Sequence, residues 1–158
     1  MRSKSSVLPA KPIVFTCIVA ISIVSAVSCG GDSTGPNGTA NIAGNWTLTA
    51  TYNNAQLQTT CTLNGSASIA QSGTTFTGQV TGSVVECTGP GGTSSGNADG
   101  PVTGGQISGN TVTYSNGECT YTGTVSGSPT NRVQGNTSCD VAIGGTTYPF
   151  TGTWQISR

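Results

Sequence analysis

Six cysteines and five carboxylates are the residues in this chain with the widest chemical reach. A thiol can attack an acyl donor, hold a metal ion or pair as a disulfide, and a carboxylate can act as acid, base or cation ligand. Each role needs company. Cys17, Cys29, Cys61, Cys87, Cys119 and Cys139 contain no Cys-x-x-Cys pair, and the chain has no histidine, so the spacing of a metal site is missing and no metal is expected. A Ser, Thr or Cys nucleophile needs a neighbouring base, and beyond residue 28 there is neither His nor Lys. No Gly-rich stretch stands between a strand and a helix, as a phosphate loop requires. The chain does not read as an enzyme, and no cofactor is expected.

One cysteine stands apart from the others. Arg2, Lys4 and Lys11 precede the uncharged run Ile13 to Val27, the charged and apolar parts of an export signal. At its end, Ala26-Val27-Ser28-Cys29 resembles the lipobox of bacterial lipoproteins, where a peptidase cuts before a Cys whose thiol is acylated. The resemblance implies that residues 1–28 are a removed signal peptide and that Cys29 carries a lipid. The protein would then be extracytoplasmic and anchored to a bacterial membrane, the outer one, because Gly30 stands where an Asp would favour the inner. Two other readings remain open. Ala26-x-Ser28 also satisfies the small-residue rule for plain secretion, and an uncleaved run would be a membrane helix, although spanning takes about 20 apolar residues. Cysteine parity favours the lipid. Cys17 leaves with the signal, and five thiols would strand one in an oxidising compartment; with Cys29 acylated, four can pair.

Past the signal, two arginines face five acids, a formal balance of minus three. No basic patch exists, so nucleic acid is not an expected partner. Residues 29–41, rich in Gly, Ser, Thr and Asn, read as a flexible tether with a reach of roughly 20 Å. Residues 42–158 read as one disulfide-stapled, all-β domain.

Two segments show the period-two alternation of half-buried strands most clearly. Ile42, Gly44, Trp46, Leu48, Ala50 and Tyr52 share one face, and near the other end so do Tyr148, Phe150, Gly152, Trp154 and Ile156. Between them lie strands near 59–71, 74–86, 100–107, 111–114, 119–126 and 132–141. Ser72-Gly73, Gly109-Asn110, Asn116-Gly117 and 128–131 supply turns, and 88–99 reads as a long loop. That makes eight strands and no helix. Phe76-Thr77-Gly78, Tyr121-Thr122-Gly123 and Phe150-Thr151-Gly152 repeat an aromatic–Thr–Gly step at unequal intervals, which suits strand bending in a barrel better than a solenoid. The expected fold is therefore an eight-stranded antiparallel up-and-down β-barrel, because closure removes both apolar edges.

Gly44-Asn45-Trp46 on the first strand and Arg158 after the last resemble the pattern of the calycins, the lipocalin and avidin group. The resemblance implies that Arg158 packs over Trp46 and plugs one barrel end, a cation–π contact worth about 0.5 to 2 kcal/mol. The chain is shorter than a lipocalin and has no C-terminal helix.

Hairpin geometry also places the four remaining cysteines. A turn at 128–131 leaves Cys119 and Cys139 equidistant from its centre, so they should face each other and bond, pointing inward. Cys61 and Cys87 flank the hairpin at Ser72-Gly73, but their meeting requires a bulge near Gly82 or a looser turn. Other pairings of four cysteines remain open. The same register sets Glu118 opposite Asp140 outside the barrel, an exposed acid pair rather than a catalytic one.

Two functions follow. The first is a lipocalin-like binding module for a small apolar ligand, with Trp46, Tyr52, Phe76, Tyr121, Phe150 and Trp154 as candidate lining. Inward Gly65, Gly78, Gly82, Gly123, Gly135 and Gly152 would leave the room. The second is a structural or interaction module of the cell envelope, in which those aromatics fill a ligand-free core.

Overall fold

Alternating apolar and polar residues form nine antiparallel strands in a computed structural model that describes Gly38 to Arg158, Pro129 apart. They are β1 (Gly44–Asn54), β2 (Thr59–Ser72), β3 (Thr75–Gly89), β4 (Gly92–Asn97), β5 (Gly100–Ser108), β6 (Thr111–Asn116), β7 (Cys119–Ser126), β8 (Arg132–Ile143) and β9 (Thr146–Ser157). Consecutive strands pair, except that β4 and β5 both pair with β3, and β9 returns to β1, so the sheet closes into the eight-stave up-and-down barrel that the alternation implies. The signal segment and Cys29 lie outside the described residues.

The ninth strand corrects the expectation of a loop at 88–99. β3 turns at Pro90-Gly91 and β4 runs back along it, from Gly89 opposite Gly92 to Val84 opposite Asn97. β4 and β5 then follow one another along the same edge of β3, so together they form one interrupted stave. β4 reaches past the segment that β6 accompanies, and no side chain along it is buried. Backbone pairing, with one Thr88–Thr93 hydroxyl contact at 3.3 Å, defines it, which is why Gly-Thr-Ser-Ser-Gly-Asn carries no apolar alternation.

The interruption is itself a built feature. Gly65 on β2 faces both Gly82 and Ser83 on β3, a bulge that Gly82 permits by adopting a φ of 60°. Opposite it, one carboxylate oxygen of Asp99 accepts the Ser83 N–H and the Ser83 hydroxyl, both at 2.7 Å. These bonds, with help from Asn97, lower the Asp99 carboxyl to about 2. The β2–β3 turn uses Gly73-Thr74 rather than Ser72-Gly73, and that step plus the bulge brings Cys61 opposite Cys87. Both expected disulfides are present, Cys61–Cys87 and Cys119–Cys139.

One end of the barrel is shut. The chain entering β1 crosses it, with Thr39, Ala40 and Ile42 buried. Gln71 pins this crossing: its side chain accepts the Ile42 N–H at 2.7 Å and donates to the Ala40 carbonyl at 2.9 Å. Trp46 donates its indole N–H to the Ile42 carbonyl, and the Arg158 guanidinium lies 4.2 Å from the Trp46 ring centroid. Arg158 also donates to the carbonyls of Thr130 and Ala43 at 3.0 and 2.7 Å. Above this floor Leu48, Phe76, Val80, Val112 and Ile156 pack with almost no free volume, about 20 Å³. Tyr114, Tyr121 and Trp154 form the next layer: the tyrosines stack at 4.3 Å and the tryptophan meets both edge-on.

The inward glycines do not leave empty space. A Cβ on Gly123 would stand 2.7 Å from the Trp154 ring, and one on Gly105 would stand 2.6 Å from the Phe76 ring, so these glycines are covered by aromatics. At Gly65, Gly78, Gly135 and Gly152 a Cβ would collide with a neighbouring strand; they permit close strand approach and tight curvature. Gly82, expected to point inward, is instead exposed at the bulge, with open space where a Cβ would stand.

Candidate functional site

The other end of the barrel is open because its staves outrun one another. β3 with β4, and β8 with β9, project beyond β6 and β7, which turn back at Gly117-Glu118. Between these projections lies a cavity of about 590 Å³, within the usual range for small-molecule sites. Leu57, Leu63, Val85, Val141, Ile143 and Phe150 supply most of its wall, and both disulfides line it. Ile143, at the tip of the β8–β9 hairpin, is half exposed.

The floor of this cavity is a pair of phenols. Tyr52 on β1 and Tyr121 on β7 line it, and their hydroxyls are 3.2 Å apart. Tyr121 rests on Tyr114 and Trp154, which belong to the filled half, so the pair marks the boundary between packed core and open mouth. Burial raises both phenol pKa values above 10.0, which keeps their O–H groups protonated. Thr137 stands opposite Tyr121 on β8, and its hydroxyl lies 3.9 Å from Cys139 Sγ. Asp99, Asn116, Thr59 and Ser94 give the rim its polar groups.

Of the six aromatics expected to line a ligand site, Tyr52, Tyr121 and Phe150 border the mouth. Trp46 lies in the plug, while Phe76 and Trp154 border the packed half. Leu63, Val85 and Val141 were not singled out beforehand, although each occupies an inward position of its alternation. Val85 and Cys87 could be assigned to the mouth only once the bulge had set the β3 register.

Charge is unevenly divided along the barrel axis. Glu86, Asp99, Glu118 and Asp140 all stand at the open end, and Arg132 and Arg158, the cations among the described residues, stand at the closed end. Glu118 and Asp140 are exposed and adjacent across the β7–β8 ladder, where the Asp140 N–H donates to the Glu118 carbonyl at 3.1 Å. Among the described residues no three metal-ligating side chains gather. A second concavity of about 550 Å³ lies on the outer face over β1, β9 and β8, but Thr49, Thr51, Gln134, Asn136 and Thr153 make it polar and open.

Fold and cavity together define a closed antiparallel barrel with one plugged and one open end. Compared with known proteins, the chain matches no family model, no curated protein and no solved structure.

Proposed function

We propose that the chain is an exported, lipid-anchored binding protein whose barrel holds a small apolar molecule in its open end. The observation that carries this reading is the mouth cavity of about 590 Å³, walled by aliphatic side chains and disulfides above a packed core. A barrel built only as a rigid envelope module would have no need of that volume. Lipid at Cys29 and the tether that follows would keep the barrel close to a bilayer surface, where apolar molecules are concentrated.

Two experiments test the two halves of the proposal. The full chain carrying Cys29→Ser, produced in bacteria and recovered without detergent, should show in native mass spectrometry a bound species released on denaturation. Finding only the bare chain, with no uptake of a neutral apolar dye, would favour the ligand-free envelope module instead. For the anchor, the unaltered chain should sediment with membranes and the Cys29→Ser form should not. Membrane retention of the variant would overturn lipidation.

A further inference from the structure

The mouth holds more information than its apolar wall, and it bears on the chemistry of the occupant. The Tyr52 and Tyr121 hydroxyls are joined by one hydrogen bond of 3.2 Å. Two O–H groups carry two protons, and the bond between them uses one. Thr137, opposite Tyr121 on β8, has Cys139 Sγ at 3.9 Å as the partner of its own hydroxyl. In either direction of the Tyr52–Tyr121 bond the remaining O–H belongs to Tyr52 or Tyr121, both of which border the cavity. The floor therefore offers one hydrogen-bond donor beneath an apolar wall, the other polar groups of the cavity standing at its rim.

The charge pattern restricts which acceptor can meet it. A carboxylate on the floor would be buried without a cation, since Arg132 and Arg158 stand at the far end and Arg158 is committed to the plug. It would also have to pass the four acids at the open end. Burying an unpaired carboxylate is costly, whereas a neutral carbonyl needs a single donor. We infer that the mouth selects an uncharged apolar molecule that carries a carbonyl, ester or ether oxygen at its inner end, placed on the Tyr52–Tyr121 pair, and that it rejects the corresponding carboxylate. The inference rests on the binding function proposed above.

The test uses the full chain with Cys29→Ser and the neutral dye Nile red, displaced in turn by decane, methyl decanoate and decanoate near pH 7. Methyl decanoate should displace the dye about three- to tenfold more effectively than decane, the increment of one neutral hydrogen bond. Decanoate should be the weakest of the three. The variants sharpen the reading, because hydroxyl counting makes an unusual demand. Tyr52→Phe and Tyr121→Phe should each retain the ester preference, since one cavity-facing O–H survives in either, whereas the double variant should lose it and keep its affinity for decane. Dye binding with no preference for the ester over decane, or with decanoate equal to the ester, would overturn the inference while leaving the binding function intact. If Nile red does not bind at all, the binding function itself falls. The ranking of the three probes on the unaltered mouth decides the matter even if the double variant fails to fold.

Discussion

At the scale of single residues, the barrel depends on a few polar side chains that do what apolar packing cannot. Asp99 holds the break between β4 and β5 by accepting two hydrogen bonds from Ser83, and it is exposed enough to titrate freely. Its folded carboxyl titrates at about 2 against 3.8 for the free group. The lowered value means that the unfolded chain binds the proton more readily, so the contribution of Asp99 is complete above 3.8 and disappears as pH falls towards about 2. The urea midpoints of the wild type and Asp99→Asn should therefore differ by a constant amount near neutrality and converge over that acid window. A difference that persists unchanged at pH about 2 would mean the carboxylate charge is not what matters. Arg158 acts at the opposite end, with one guanidinium serving the Trp46 ring and two carbonyls. Arg158→Ala should cost about 2 kcal/mol in urea unfolding, from the lost cation–π contact and the orphaned carbonyls. A loss below about 0.5 kcal/mol, the value of an ordinary surface change, would remove the plug from the account.

At the scale of elements, the sequence was most legible where a strand has one wet and one dry face. β1 and β9 show that alternation over their whole length, and Cys119 and Cys139 could be matched because a hairpin of fixed centre lies between them. Legibility failed where backbone geometry alone decides. β4 has no buried side chain, so nothing in its composition separates a strand from a loop. The inward glycines looked like vacancies because a missing side chain in a pattern does not reveal what occupies its place. The structure fills those places with the Trp154 and Phe76 rings or with a neighbouring strand. The site was half legible for the same reason: alternation marks Tyr52, Tyr121 and Phe150 as inward but says nothing about their height along the axis. That height follows from register, which depends on the Gly82 bulge and the Gly73-Thr74 turn. The bulge also gives the Cys61–Cys87 disulfide a definite task, tying β2 to the projecting part of β3. Replacing both cysteines with serine should lower stability by roughly 2 to 4 kcal/mol. Amide exchange should accelerate most in β4 and the adjoining half of β3, and hardly at all beside Trp46. Uniform acceleration would show that the bridge stabilises the barrel as a whole rather than one wall of its mouth.

At the scale of the whole molecule, the barrel is divided in two. Its closed half is packed to a remnant of about 20 Å³ and capped by the crossing chain, Gln71 and Arg158; its open half keeps about 590 Å³ between two disulfide-bearing walls. Acids gather at the open end and cations at the closed one, so the charge pattern disfavours an anionic occupant. The central claim is that this open half is a binding chamber, and filling it is the most direct challenge. Leu63 faces the chamber from β2, and Leu63→Trp would occupy part of it without altering the plug or the aromatic floor. The decisive measurement is a Nile red titration of the Cys29→Ser chain with and without Leu63→Trp, alongside circular dichroism to confirm that both are folded. Saturable, blue-shifted fluorescence with one site per chain, weakened at least tenfold by the tryptophan, is the expected result. No saturable binding, or binding indifferent to Leu63→Trp, would contradict it.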